Sequence, residues 1–503
     1  MKHKPKNQKP YRINSSVLWL GATQIFTIIG VWASTAGGQA FRYFALGSVT
    51  TAMLASLFVS LEAALTAMIL FEPFRGFLRR AQYLFVPYSQ SEPIHMLTPV
   101  VTLIAFLLLL QRQKFEMFRA TPLGGTVSLL AAIYFVQIFN PLQGGLFVGL
   151  TGALFFLVPV TWFYFGQSAN ADFAPRVLRL TVILGLAASF YGIYQMVFGY
   201  PAFEQYWIDN TDLYSSIEVN KIKRALATFN SAEEWGRYVQ LGCVAAFGFG
   251  VVRSEGYKRL FWFASGFALI FMLALTGQRS AVFGLFLSLA VLFLTGAANF
   301  RAAVTRTGFL VVPLILVFAV STFMDVEEGY DTDGESVNTM LTHTTKGTVK
   351  PAEEGSLYAR FETWERIITR DLPKNPFGNG LGADGLAATR ETNNTDDPTD
   401  NHFLTVALSA GVPAALLLIW ILIRSLILSF RLLRNSEHGS YEHSLWRIAI
   451  ALIASFILNN IFGTTFTIYS VAPICWLVIG WISSSYSKGQ DECQTTSEIR
   501  MVR

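Results

Sequence analysis

The chain alternates between apolar runs of about 17–27 residues and short polar or basic stretches. A helix needs roughly 20 apolar residues to cross a bilayer, so the pattern predicts an all-α polytopic membrane protein. Charge-free interiors place candidate spans at about 17–33, 44–70, 94–110, 124–140, 145–166, 178–198, 237–252, 260–276, 279–296, 308–323, 403–429, 445–461 and 466–483. One long polar segment, 325–402, breaks the pattern and holds about half of the acidic residues. Within it Leu357, Phe361, Trp364 and Ile368 recur at helical spacing. That predicts a helix over 357–370, with Gly355-Ser356 as its N-cap, Pro373 just beyond its end, and an apolar stripe packed on the membrane domain. Gly378, Gly380 and Gly382 follow, which permits a tight turn or a close backbone approach. No Lys-Ser/Thr follows them and no strand precedes, so this is not a phosphate-binding loop.

Basic residues orient the spans. Arg301 and Arg306 flank one short loop, and Arg424, Arg431, Arg434 and Arg447 another. Both belong on the cytoplasmic side by the positive-inside rule, which puts 325–402 outside. Counting back places 276–279 and 199–236 outside, and Arg112, Lys114 and Arg119 inside. Ten runs precede the large loop, whereas a cytoplasmic N-terminus requires an odd number. The run 17–33 is therefore assigned to the interface, giving about 12 transmembrane helices with both termini cytoplasmic. This arrangement leaves Arg75, Arg79 and Arg80 outside, against the same rule. The organisation is 1–324 (N-terminal helices), 325–402 (the large loop) and 403–503 (C-terminal helices and tail). The basic start, Lys2 to Arg12, reads as a retained cytoplasmic end, because no convincing cleavage site follows.

Composition agrees with this class. The chain is 52% hydrophobic and 14% charged, with a mean hydropathy of +0.43; soluble domains carry about 25% charged residues. The net charge of +5 lies in loops that set orientation and needs no nucleic acid. Cys243, Cys475 and Cys493 form no disulfide or zinc framework.

Four residues share the outer face: Arg224 in the loop 199–236, Arg279 at a span mouth, Arg360 on the loop helix, and His402 where the next span begins. Guanidinium offers paired donors to phosphate oxygens, and a neutral imidazole accepts a proton from a hydroxyl. Each has a plainer reading. Arg224 and Arg279 equally suit headgroups or carboxylates, Arg360 suits a solvated helix, and His402 suits a structural hydrogen bond. Asp331, Asp333, Asp396, Asp397 and Asp400 could hold a divalent metal, but read better as solvated loop acids. Glu62 falls inside a candidate span, where a structural bond is favoured over a proton path. Asn393-Asn394-Thr395 matches a glycosylation sequon at chance level. A transporter would need several such intramembrane charges and paired broken helices.

Arg224-Ala225-Leu226-Ala227-Thr228-Phe229-Asn230, Thr276-Gly277-Gln278-Arg279-Ser280-Ala281, Ser356 to Trp364 with Pro376, Gly378 and Gly380, and Asn401-His402-Phe403-Leu404 with Gly411 occur in that order. Together they resemble the O-antigen ligase and O-antigen polymerase superfamily of bacterial membrane glycosyltransferases. The departures are Ala227 where that family has Gly, Ser231-Ala232 where Pro-Asn is common, Gln278 and Ser280 within the second motif, and Asn before rather than after the His. The resemblance covers about 220–430. It implies a GT-C type fold with a catalytic outer loop, a polyprenyl-diphosphate-linked glycan donor, and metal-independent, inverting transfer to a glycan, lipid or protein hydroxyl, without a cofactor. It also implies that Arg224, Arg279 and Arg360 bind the donor diphosphate and that His402 is the base. The setting it implies is the bacterial inner membrane, in cell-surface polysaccharide assembly.

Overall fold

The computed structural model describes residues 38–89, 92–119, 121–211, 218–219, 222–251, 256–296, 355–383 and 399–501. The expected runs 17–33 and 308–323, with Arg301, Arg306, Asp331, Asp333, Asn393 to Thr395, Asp396 and Asp397, lie outside them.

The described residues are overwhelmingly helical. In chain order the helices are α1 (Gly38–Val59), α2 (Leu61–Phe71), α3 (Arg75–Ala81), α4 (Ile94–Gln113), α5 (Gly124–Gln137), α6 (Leu146–Ser168), α7 (Phe173–Phe198), α8 (Ala202–Asn210), α9 (Ala232–Val251), α10 (Gly256–Leu275), α11 (Arg279–Leu294), α12 (Gly355–Arg366), α13 (His402–Ala410), α14 (Val412–Asn435), α15 (Tyr441–Ile461) and α16 (Ala472–Met501). A two-residue antiparallel hairpin pairs Glu218 with Lys223 and Val219 with Ile222. Seven helical stretches are long and apolar enough to cross a membrane: Arg42–Val59, Ile94–Phe118, Leu146–Ser168, Phe173–Phe198, Gly256–Leu275, Val412–Asn435 and Tyr441–Ile461. α5 and α11 are shorter apolar helices. The protein is a polytopic helical membrane protein.

The expected single span 44–70 is instead two helices. Ser60 is extended (φ −167°, ψ 160°) and its Oγ accepts the N–H of Ala63, starting α2 afresh. Glu62 falls in that first turn, where the helix dipole favours a carboxylate. Hydropathy averaging missed the break because one capping hydroxyl hardly lowers the mean of a long apolar run. From Leu61 the chain stays helical through a 3₁₀ turn, Glu72–Phe74, into α3.

Contacts sort the helix ends into two faces. At one, Gln137 Nε2 donates to Phe377 O (2.6 Å), Asn140 Nδ2 to Gly378 O (3.0 Å) and His402 N to Gly463 O (3.0 Å). At the other, Asn170 Nδ2 donates to Glu62 Oε1 (2.5 Å), Thr121 Oγ1 to Gln167 Oε1 (2.9 Å) and Arg447 NH2 to Leu292 O (2.6 Å). Glu62 thus sits at a helix start, also facing Arg176 at 3.6 Å, and not at mid-span. The interior is closed by small residues and amides. A Cβ on Gly166 would lie 2.1 Å from Leu477 O, and one on Gly480 2.0 Å from Phe163 O. Only glycine lets α6 and α16 approach so closely. Gln240, Ser455 and Asn459 hydrogen-bond between α9 and α15, satisfying amides that lipid could not.

The loop helix departs from expectation in register. α12 is described from Gly355, so the expected cap at Gly355-Ser356 falls at the edge of the described residues. A π turn, Ile367–Asp371, follows. Ile367, three residues after Trp364 on the same helix face, is turned inward (2% exposed), while Phe361 and Ile368 face out at 52% and 55%. The expected stripe therefore docks through Trp364 and Ile367. The glycine turn is a structural clip. Asn379 and Gly380 donate to Leu408 O (2.7 Å) and Ser409 O (3.0 Å), and Val412 donates to Pro376 O (2.9 Å). These bonds satisfy the backbone where the chain breaks at Gly411 (φ +91°) between α13 and α14. Gly380 sits at φ +103°, and a Cβ there would lie 2.5 Å from Gln143 Oε1.

Candidate active site

Three separate backbone devices present the site residues at the face that carries the clip. The first is the turn 224–231. Gln195 Oε1 accepts from the N–H groups of Leu226 (3.1 Å) and Ala227 (2.7 Å). Arg80 donates to Phe229 O (2.5 Å) and Ala227 O (2.6 Å), and Thr228 Oγ1 donates to Pro73 O (2.5 Å). Ala227 takes φ +50°, a conformation that favours the glycine found there in the resembling family. The Tyr200 hydroxyl donates to Arg224 O. Arg224 Nε is buried without a hydrogen-bond partner.

The second device is the turn into α11. Gly277 is left-handed (φ +70°), the Gln278 N–H donates to Thr276 Oγ1 at 3.2 Å, and Arg279 is the first helical residue.

The third is the docking of α12 against the start of α13. Trp364 Nε1 donates to Thr399 O (2.8 Å), and its ring meets Phe462 at 6.0 Å. Arg360 holds Asp400 Oδ2 with both Nε (3.0 Å) and NH2 (2.9 Å). Asp400, expected to be a solvated acid, is therefore a guanidinium partner, set there by a left-handed backbone (φ +43°). Asn401 caps α13, its Oδ1 accepting from Leu404 N. His402 opens α13 at 2% exposure. Its ring lies between Phe156 (6.1 Å, 13° between planes) and Phe466 (5.8 Å, 30°). Nδ1 is buried with no partner, so aromatic packing orients the imidazole in place of a carboxylate. Burial lowers the His402 pKa and keeps the ring neutral.

The charges of the three predicted arginines reach one another. Arg224 is pushed below its ordinary pKa first by burial, then by Arg279, with Arg360 adding to the effect and Glu233 opposing it. Glu233 in turn faces the charges of Arg237, Asp400, Arg360 and Arg224. His402 joins through the backbone: it follows Asp400 by two residues and is anchored on Gly463. Sequence reading missed Glu233 and Arg237. Their signal was an ionisable pair one helical turn apart at the mouth of an apolar helix.

The arrangement is a cationic mouth, partly shielded from water, with the neutral imidazole packed among aromatic rings at the same face. Such a mouth suits an anion with several acceptor oxygens, and an imidazole in that state can take a proton. No curated protein matches the chain. Residues 264–419 match the family model described as O-Antigen ligase, and that stretch contains Arg279, Arg360 and His402.

Proposed function

We propose that the protein transfers a glycan from a polyprenyl diphosphate to a hydroxyl acceptor at the extracytoplasmic face of the bacterial inner membrane. The observation that carries this reading is the mutual field of Arg224, Arg279 and Arg360 at the face where His402 opens α13. The lipid diphosphate is the leaving group. Guanidiniums already in place where its charge develops lower the barrier without reorganisation. His402 takes the proton of the attacking hydroxyl, the glycosidic bond to the diphosphate breaks, and attack from the opposite side inverts the anomeric centre. Arginine charge serves in the place of a divalent ion, so transfer is metal-independent.

The topology we propose follows from Ser60. With the sequence-read runs 17–33 and 308–323 both crossing, the break gives eleven crossings before the large loop and three after it. Eleven is odd, so both termini lie on the basic side and 17–33 needs no interfacial assignment. The outer arginines still run against the positive-inside rule, which counts Lys and Arg alone, but each is paired with a carboxylate: Arg75 with Glu72 and Glu234, Arg79 with Glu92, and Arg80 with Glu204.

The test is purified protein in nanodiscs with a polyprenyl-diphosphate glycan and an acceptor, scoring donor binding and transfer separately. His402→Ala should lower transfer by roughly 10²–10⁴-fold and leave donor binding intact. Normal transfer by that variant removes His402 from the role, and failure of the wild type to bind the donor removes the reading.

A further inference from the structure

Arg237 is 1% exposed and lies one turn into α9. Its NH2 donates to Ser280 Oγ (3.0 Å) and to Phe462 O (3.0 Å). Ser280 follows Arg279 in α11. Phe462 precedes Gly463, whose carbonyl accepts the His402 N–H at 3.0 Å. One nitrogen therefore ties together the element that carries a donor arginine and the turn that anchors the base. The approach is tight, since a Cβ on Gly463 would lie 2.4 Å from Arg237 NH2. The other two nitrogens, Nε and NH1, are buried with no hydrogen-bond partner. The nearest carboxylate, Glu233 Oε1, stands at 3.7 Å from NH2, and Arg360 and Asp400 are within its field. A buried cation with unspent donors is costly. A residue serving only as glue would have them satisfied, as Arg80 has with Glu204, Ala227 and Phe229.

We infer that Arg237 is a positioning residue of the site: it holds Arg279 and His402 in register through Ser280 and Phe462, and its charge, only partly offset by Glu233 at 3.7 Å, adds to the field that draws an anionic diphosphate. The inference rests on the reading of the site given above. It makes two separable demands. The charge acts on diphosphate affinity, and the double tether acts on turnover.

The experiment measures binding of undecaprenyl diphosphate, without glycan, to nanodisc-embedded protein, with undecaprenyl monophosphate for comparison. Turnover is measured in parallel with the glycan-bearing donor. Arg237→Gln should weaken diphosphate binding about tenfold, the equivalent of one lost charge-assisted contact, and monophosphate binding less. It should also lower kcat. Arg237→Lys restores charge but an ammonium cannot reproduce the fork, so Kd should return to within about threefold while kcat stays low. Ser280→Ala cuts one tether and should lower kcat with Kd unchanged. A folded Arg237→Gln with wild-type Kd and kcat overturns the inference. So do equal losses of kcat and melting temperature in the Gln and Lys variants with Kd unmoved, which is the behaviour of glue. Should Arg237→Gln fail to fold, wild-type kcat in both Arg237→Lys and Ser280→Ala overturns it. Absence of diphosphate binding by the wild type refutes the functional reading itself, and the inference with it.

Discussion

Two groups of arginines share one face of this protein, and they are built on opposite terms. Arg75, Arg79 and Arg80 each meet a carboxylate directly, and Arg80 spends its remaining donors on the carbonyls of Ala227 and Phe229. Arg224, Arg237, Arg279 and Arg360 share a neighbourhood whose described carboxylates are Glu233 and Asp400. The first group is balanced and holds the 224–231 turn against α3. In the second, among the described residues, Glu233 pairs with Arg237 and Asp400 with Arg360. Three arginines make up the first group and four the second, and both groups lie on the same side. The two groups differ in how their described carboxylates are shared: each arginine of the first meets its own, whereas four arginines of the second lie around Glu233 and Asp400.

The sharpest way to break the contrast is to delete a balanced arginine. Arg80→Met strands Glu204, which is 0% exposed, and removing one partner of a buried pair costs about 3–5 kcal/mol. Loss of melting temperature and of monodispersity is expected, and a stable, monodisperse variant would refute the balanced-group assignment.

Arg360→Lys should behave in the opposite way. The Arg360–Asp400 pair is about one-third exposed on each side, and such pairs contribute about 0–1 kcal/mol, so the melting temperature barely moves. Transfer should fall roughly 10–100-fold, from losing one arm of a fork to a charged group. A destabilised variant with normal transfer would move Arg360 into the first group.

The pH profile gives a smaller effect. Burial lowers the His402 pKa below 6.5, so the neutral base persists as pH falls through 6.5. Transfer should show no loss of base between pH 8 and 6, with its acid limb below 6.5. The stability sign follows: between 6.5 and the lowered value the unfolded chain binds the extra proton, so stability drops as pH falls through that window. An acid limb centred at or above 6.5 would contradict the burial of the ring.

The smallest effect lies where the two groups touch. Ala227→Gly relieves a left-handed residue, worth about 1–2 kcal/mol, and removes a buried methyl worth about 0.8 kcal/mol. The net gain should be within about 1 kcal/mol by thermal melting, with unchanged transfer. A large loss of transfer would mean that Arg224 depends on the tightness of this turn.

Much of this was legible in the chain. The apolar runs gave most helices, and the ordered motifs named Arg224, Arg279, Arg360 and His402, which the described structure sets at one face. Three things escaped. The Ser60 break is a single hydroxyl in an apolar run, below the resolution of a hydropathy window. The Arg80–Glu204 and Arg237–Phe462 contacts join residues more than a hundred positions apart, and no local period encodes such a pairing. Ile367 and not Ile368 lies on the inner side, because i+3 and i+4 neighbours of Trp364 both suit the stripe and sequence spacing does not choose between them.

The clip at Pro376 to Gly380 has a further implication. It is stitched to the Gly411 break at one end of the segment 384–398, and Thr399 to His402 is stitched to Trp364 and Gly463 at the other. Both stitches are made between described residues, so the Gly411 break and the start of α13 are each held from two directions in the chain. A substitution that spares those bonds keeps Asp400 within reach of Arg360 and the His402 N–H on Gly463.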